Sequence, residues 1–260
     1  MTTSLKIFIL TLAVTLLKCS STSVPIFQDN TSSTNPSDSL LLAKYKYEIL
    51  KDYVEDAEAL TTEQIDSVLY ESRISIANSK VFYAPDHSFK IFTIEIEGCG
   101  AYCNSEWKSW IHYNLTGKEN SEEVDFTTID TIYKLPDHNY LIIDKSGRRP
   151  ASVLTVYCER AHLISFSSDA MITHAIGTSK QETYFGFCQE NGVEMDESPY
   201  IKYNADKKLL TYHYGNNYAY SQGIDNDTIR QGQLKYVNGQ FVFEKEHVKV
   251  ISRANHNDKN

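Results

Sequence analysis

The clearest pattern of apolar and polar positions along the chain is the alternation from Phe92 to Glu97. Apolar residues occupy the even positions and polar residues the odd ones. Successive side chains of a strand point to opposite faces of its sheet, so this pattern predicts a half-buried strand with one face in water. The strand lies in the stretch Val81–Leu115, which also holds a cysteine pair and both tryptophans. We therefore expect a functional site, if the sequence contains one, in this stretch.

From residue 79 onward the chain is a series of short segments rich in β-branched and aromatic residues, separated by Asn, Asp, Gly or Pro. This punctuation is typical of strands joined by turns. Asn238-Gly239 is the strongest hairpin signal, because a type I′ turn needs two positive φ values. The pattern predicts a mainly β domain over residues 79–251, an antiparallel meander that is either propeller-like or a sandwich. The predicted strands are 81–84, 89–97, 107–115, 127–134, 139–144, 151–159, 161–166, 182–188, 199–203, 208–214, 229–237 and 240–245.

A turn motif recurs within this region. Ala84-Pro85-Asp86-His87 is similar to Leu135-Pro136-Asp137-His138, and Asn204-Ala205-Asp206-Lys207-Lys208, which leads into Leu209, is a looser copy. Each copy places an aspartate, which can bond its own backbone, just before a predicted strand. Turns of this kind open a strand in many propeller blades, and a sandwich with repeated turns would carry the same residues. The repetition predicts one fold for the whole region.

Residues 41–78 have helical periodicity and are predicted to pack on the β domain. Thr61 and Gln64 match a capping box, which places the start of a second, shorter helix at Thr61. The first helix is predicted from apolar residues at intervals of three and four, the stripe of an amphipathic helix. These residues are Leu42, Tyr45, Ile49, Tyr53, Ala57 and Leu60.

The first 23 residues are typical of a secretory signal peptide. Lys6 precedes the apolar run Ile7–Leu17, which is shorter than the roughly 20 residues that span a bilayer. Two processing routes remain open. Cys19 follows a segment that loosely resembles a lipoprotein box, although Lys18 stands where a small residue is usual. Ordinary cleavage after Ser21 or Ser23 is the alternative.

The polar segments at the two ends of the chain are predicted to lie outside the fold. Residues 24–40 are rich in Ser, Thr, Asn and Asp and are expected to form a flexible tether. Residues 252–260 are expected to be a polar tail. With a lipid on Cys19, the tether would hold the domain at the periplasmic or outer surface of a membrane.

The net charge and the cysteine content indicate which partners and which cellular compartment to expect. The formal net charge of −9 disfavours nucleic acid as a partner, because the chain repels phosphate backbones. Apart from Cys19 there are four cysteines, an even number that suits disulfides in an oxidising compartment. Three pairings are possible, and we favour Cys99–Cys103 together with Cys158–Cys188.

Several of these motifs resemble those of a set of uncharacterised exported proteins of Bacteroidota, among them putative lipoproteins with a β-rich domain. The resemblance covers residues 80–245 and implies an exported β protein. It does not imply any enzymatic activity. The matching residues are Pro85, Asp86, Phe89, Ile91, Gly98, Gly100, Trp107–Tyr113, Ile132-Tyr133-Lys134, Tyr140 and the hairpin Tyr236–Phe241.

Motifs for catalysis and metal binding are weak in this sequence. It has no Gly-x-Ser-x-Gly, His-Glu-x-x-His or phosphate-loop pattern. Ser105-Glu-Trp-Lys108 matches the Ser-x-x-Lys pattern of penicillin-recognising enzymes, but no Lys-Thr-Gly accompanies it. Cys99 and Cys103 have no second ligand pair nearby, so they are predicted to be a disulfide rather than a metal site. We predict no metal and no cofactor.

The candidate binding residues lie around this cysteine pair: Tyr102, Trp107, Trp110 and His112. The two tryptophans fall on opposite faces of the predicted strand, so one is expected in the core. The other, beside His112, is a candidate stacking platform for a sugar, and packing in the core or at its rim is the alternative. The expected function is a non-catalytic binding or structural role in the cell envelope, with a carbohydrate or protein ligand. The alternative is a secreted hydrolase of glycans or peptides.

Overall fold

The computed structural model describes residues 36–51, 74–98, 104–115, 117–148, 156–168, 170–177, 184–190, 198–216 and 226–252, together with Thr61, Gln64 and Ser67. These residues form one long helix and thirteen strands. The helix α1 is Pro36–Lys51, and the strands are β1 Ile74–Tyr83, β2 Phe89–Gly98, β3 Asn104–Leu115, β4 Lys118–Val124, β5 Thr128–Lys134, β6 Asn139–Arg148, β7 Val156–Phe166, β8 Met171–His174, β9 Phe185–Glu190, β10 Tyr200–Asn204, β11 Leu209–Asn216, β12 Asn226–Val237 and β13 Gln240–Ser252.

The strands form three antiparallel sheets, each in chain order. Sheet A is β1-β2-β3-β4, sheet B is β5-β6-β7-β8, and sheet C is β10-β11-β12-β13. The long strand β7 pairs with β8 through residues 163–166 and with β9 through residues 156–161. The prediction of a mainly β, antiparallel meander is therefore confirmed.

The three sheets and the helix pack as successive layers. In α1, Leu42, Tyr45 and Ile49 are buried against Phe92, Ile94 and Ile96 of β2. The opposite face of sheet A packs on sheet B, whose other face packs on sheet C. Both faces of β2 are covered, so the predicted wet face of Phe92–Glu97 is wrong at Thr93, which is buried.

Two strands, β4 and β8, are absent from the sequence prediction. The seven residues of β4, Lys118–Val124, are nearly all polar or charged, and the strand lies at an edge of sheet A. Edge strands accept charged residues because one side of the strand faces solvent. Strand β8 has only four residues. The predicted strands 151–159 and 161–166 are one continuous strand where the structure describes them, from Val156 to Phe166.

The helical region is confirmed in part. The helix α1 begins at Pro36, inside the segment predicted to be a tether, and Leu42, Tyr45 and Ile49 are buried as their spacing predicts. The Thr61 backbone N–H donates to Gln64 Oε1 at 2.8 Å, and the Gln64 backbone N–H donates to Thr61 Oγ1 at 3.3 Å. This pair of bonds is the predicted capping box. Most of the second predicted helix lies outside the described residues. Residues 74–78, predicted as part of the helical segment, belong to β1 because they pair with β2.

The three copies of the turn motif occupy the same place in the three sheets, between the first strand and the second. A residue with positive φ lies in each: His87 at 55°, Asp137 at 63° and Lys208 at 53°. The Asn238-Gly239 turn joins β12 to β13 with φ values of 51° and 81°, as predicted for type I′.

A tyrosine from the following sheet binds each of the first two turns. The Tyr140 hydroxyl of sheet B donates to Asp86 Oδ2 at 2.8 Å and accepts from Ser88 Oγ at 2.8 Å. In sheet C, the Tyr236 hydroxyl donates to the Pro136 carbonyl at 3.1 Å and accepts from Asn139 at 2.7 Å. The turns therefore connect each sheet to the next.

The Cys158–Cys188 disulfide is confirmed, and it joins directly opposite residues of β7 and β9. The predicted Cys99–Cys103 pair lies outside the described residues, as do the signal segment, Cys19 and residues 253–260 of the tail.

We expect Tyr140→Phe to lower the free energy of unfolding by about 1–2 kcal/mol, because Asp86 and Ser88 lose a shared partner. Urea denaturation monitored by tryptophan fluorescence measures the change. Tyr133→Phe is the matched control, since no hydrogen bond of its hydroxyl is seen within the described residues. Equal stability of the two variants would contradict the role given to the Tyr140 hydroxyl.

Candidate functional site

The predicted site residues Trp107, Trp110 and His112 lie on β3, and Tyr102 lies outside the described residues. Trp107 is opposite Glu95 of β2 and Trp110 is opposite Phe92, which places the two tryptophans on opposite faces of sheet A as predicted. Trp110 and His112 share the face that α1 covers. The packing of the helix therefore determines which parts of these two side chains a ligand can reach.

Trp110 is stacked against Tyr45 of α1, with ring centroids 4.3 Å apart and an interplanar angle of 14°. This face of the indole is occupied and is not available to a sugar. The prediction that a tryptophan beside His112 forms an exposed stacking platform is therefore wrong for this ring face. The physical reason is that α1 buries an apolar stripe on the same side of the sheet.

His112 is buried beneath α1 and hydrogen bonds through Nε2 to the Tyr45 hydroxyl. Its ring packs edge-on against Phe92, with centroids 5.2 Å apart. Burial lowers the pKa of His112, with a further contribution from the charge of Lys90, and Glu119 opposes the shift. The imidazole is therefore neutral at pH 7, and its Nδ1 atom has no hydrogen-bond partner in the described part of the chain.

The start of α1 is held to sheet A by a buried carboxylate. Lys90 Nζ of β2 lies 2.5 Å from Asp38 Oδ1, and the Tyr83 hydroxyl of β1 donates to Asp38 Oδ2. A buried ion pair is costly to break from one side, because the remaining charge stays in a poorly solvated position. Asp38 and Tyr45 thus anchor the helix at two points along its length.

A cleft of about 370 Å³ opens between α1 and the strands β3 and β4. It combines aromatic side chains with charged groups of both signs, so it suits a polar ligand that also has apolar surface. Lys108 Nζ lies 3.8 Å from Glu123 Oε1 at its edge. The lining residues are Lys44, Tyr45, Glu48, Ile49, Lys108, Trp110, Ser121 and Glu123. We call this the helix cleft.

Of the three predicted binding residues that the structure describes, Trp110 lines the helix cleft and Trp107 and His112 do not. His112 borders a smaller depression of about 220 Å³ with Tyr83, His87 and Lys90. The charged members Lys44, Glu48, Lys108 and Glu123 were not predicted. Their sequence signal is that of ordinary surface residues, and only the packing of α1 on β3 and β4 brings them together.

A second polar cluster is buried between sheets A and B around Asp144. Its carboxylate accepts from Arg160 Nη2 at 2.6 Å, from His162 Nε2 at 3.1 Å and from the Thr127 amide at 2.7 Å. Burial alone would raise the pKa of Asp144, but its bonds to His162 and Arg160 outweigh burial and hold the pKa at about 2. The cluster is fully bonded around a permanent charge, which fits a structural role.

Ser165 and His174 form a contact on β7 and β8 that the sequence did not predict. Ser165 Oγ lies 2.7 Å from His174 Nε2. The two residues are diagonal neighbours in the strand register, since Ser165 is opposite Ile172 and His174 is opposite Leu163. A nucleophilic serine needs a third group that orients the histidine. Within the described residues, no carboxylate is seen to contact His174.

Comparison of the chain with protein-family models, curated proteins and solved structures finds no match. Among the described residues, no helix has the length and apolar character to cross a membrane. The same residues contain no group of three or more His, Cys, Asp or Glu side chains arranged to hold a metal ion.

We expect Asp144 to make the stability of the protein depend on pH below about 4. Its pKa in the folded state, about 2, is lower than the ordinary value of 3.8. The stabilisation is therefore complete above pH 4 and is lost as the pH falls toward 2, by about 2 kcal/mol in total. Urea denaturation at a series of pH values measures this loss.

Asp144→Asn should remove this part of the pH dependence and destabilise the protein at neutral pH by about 3–5 kcal/mol, since Arg160 stays buried. Asp206→Asn, at an exposed turn, is the control and should leave the curve unchanged. An Asp144→Asn protein with the wild-type acid profile would refute the assignment.

Proposed function

We propose that this protein is an exported, membrane-tethered module of the cell envelope that binds a ligand without transforming it, and that the ligand is a glycan. Its signal-like N-terminus supports export, and Cys19 is the residue that would carry a lipid. The observation that carries the binding role is the helix cleft, where Trp110 lies beside paired charges.

The composition of the helix cleft favours binding over hydrolysis. Glycosidases hold one carboxylic acid protonated beside a second carboxylate. Here Glu123 lies 3.8 Å from Lys108 and Glu48 lies 3.7 Å from Lys51, so both carboxylates have a cation nearby. Carboxylates in such pairs accept hydrogen bonds from sugar hydroxyls, and the half-buried Trp110 adds apolar surface to the wall of the helix cleft.

We also propose that sheets A, B and C are consecutive propeller-like blades rather than the halves of a sandwich. Each contains four strands that form a meander in chain order, with β9 added to sheet B beside β7, and each has the same turn between its first and second strands. The bonds of Tyr140 and Tyr236 to the preceding turns repeat in the same direction along the chain. A two-sheet sandwich would not need three equivalent layers.

The binding role predicts that the purified protein binds one or more members of a glycan array. The double variant Glu48→Gln with Glu123→Gln should weaken this binding at least about tenfold, because two hydrogen-bond acceptors lose their charge. Titration calorimetry with the captured glycan measures the affinity, and an unchanged melting temperature confirms folding.

The matched control is Asp137→Asn with Asp206→Asn, which removes two exposed carboxylates elsewhere. Its affinity should equal that of the wild type. The proposal fails if no glycan binds, if only peptides bind, or if both double variants lose affinity equally.

The Ser165–His174 contact favours one alternative function, a serine hydrolase. Under the non-catalytic proposal, a fluorophosphonate probe should not label the protein, and nitrophenyl esters should hydrolyse at the rate without protein. Labelling that Ser165→Ala abolishes, with a Ser168→Ala control still labelled, would establish the hydrolase and overturn the non-catalytic role.

A further inference from the structure

The outer face of sheet C, which points away from sheet B, carries four lysines. The inner face is defined by the buried residues Ile201, Leu210, Leu234 and Phe241. The strand register then places four rows of neighbouring residues on the outer face, each row crossing the sheet from strand to strand. These rows are Lys202/Thr211/Gln233/Lys245, Tyr200/His213/Gln231/His247, Asn204/Leu209/Lys235/Val242 and Gly215/Ile229/Lys249. We call this surface the lysine face.

The charge of the lysine face is not neutralised within the described part of the chain. Lys202, Lys235, Lys245 and Lys249 are exposed, and none of them has an ion-pair partner among the described residues. Glu244 reaches the surface at the bulge of β13, where it accepts from Gln233, and the register places Asp227 on the same face, in the row next to Ile229 and Lys249. With four lysines against these two acids, the face is basic although the whole chain has a net charge of −9.

Protection of sheet edges accounts for only part of this pattern. Lysines on edge strands prevent unwanted strand pairing, and Lys202, Lys245 and Lys249 lie on the edge strands β10 and β13. Lys235 lies on β12, an inner strand, where no such protection is needed. Lys202 and Lys245 are three strand spacings apart, about 14 Å, so the positive charge spans the sheet.

Neutral groups on the same face suit hydroxyl-bearing ligands. Gln231, Gln233 and Thr211 offer amide and hydroxyl groups between the lysines. Tyr200 is stacked on His213, with centroids 5.9 Å apart, and Lys202 Nζ lies 4.6 Å from the centre of the Tyr200 ring. An aromatic ring beside lysines and amides can contact a sugar ring while its acid group pairs with a cation.

We propose that the lysine face binds an acidic polysaccharide, such as a polyuronate. A sheet face that carries four exposed lysines, with amide and hydroxyl groups between them, complements a chain that repeats one carboxylate and several hydroxyls per sugar. Double-stranded DNA carries one charge per about 1.7 Å, and an acidic protein would repel it more strongly. The layer order places this surface on the side of the molecule opposite α1, so the inference does not depend on the ligand of the helix cleft.

Binding of the purified protein to immobilised polygalacturonate tests the proposal. The variant Lys235→Gln with Lys245→Gln should weaken binding about tenfold at low salt and reduce the slope of log affinity against log salt by about two. The control variant Lys80→Gln with Lys118→Gln has the same net charge, removes two exposed lysines of sheet A, and should bind like the wild type.

Three results would overturn the proposal. One is a wild-type protein that does not bind polygalacturonate. Another is an equal loss of binding in both lysine variants, which would mean attraction by total charge. The third is tighter binding to polyuridylate, or to vesicles of phosphatidylcholine and phosphatidylserine, than to polygalacturonate. Glycan binding in the helix cleft is measured separately with the carboxylate variants, so failure at one site is distinguishable from failure at the other.

Discussion

The fold depends on the burial of sheet B on both faces. In β6 and β7 consecutive residues are apolar: Leu141 and Ile143 face sheet C, whereas Ile142 and Ile164 face sheet A. A shift of one residue in the pairing of these strands would exchange the two faces. The register of the middle sheet therefore fixes how the sheets on either side pack against it.

The buried charged residues of the middle sheet lie in clusters with partners of opposite charge. Asp144, Arg160 and His162 satisfy one another on the side of sheet A. On the side of sheet C, Glu159 is buried, and burial raises its pKa, although Lys145 Nζ lies 3.4 Å from Oε1. These clusters have the perturbed pKa values that often mark active sites. Asp144 and Glu159 themselves are buried between two sheets, whereas their partners Asp125 and Lys145 reach the surface. The burial of the two carboxylates fits a structural role.

Much of the strand pattern was predictable, because alternation and turn residues are local signals. The Thr61–Gln64 capping box and the Asn238-Gly239 turn could be predicted for the same reason. The exposure of each strand was not predictable. Thr93 was expected in water and is buried, because whether a strand is covered once or twice depends on packing between distant segments.

The candidate sites were harder to predict than the fold, for a related reason. Glu48 and Glu123 are far apart in sequence and reach one cleft only through the docking of α1. Ser165 and His174 meet through the register of β7 and β8, which no motif specifies. Trp110 was identified by residue type, and its stacking on Tyr45 follows from the tertiary structure alone.

Among the described residues, sheet C is the last layer of the stack, and the lysine face is its outer surface. Sheets A and B carry apolar residues on both faces, and each is covered on both sides. The large apolar side chains of sheet C lie on its inner face. Its outer face carries Lys202, Lys235, Lys245 and Lys249. Repeat architectures need such a polar outer face on their terminal unit to remain soluble. The lysines that keep this outer surface polar are the same ones that a polyanion would bind. The proposed binding surface is therefore compatible with the fold.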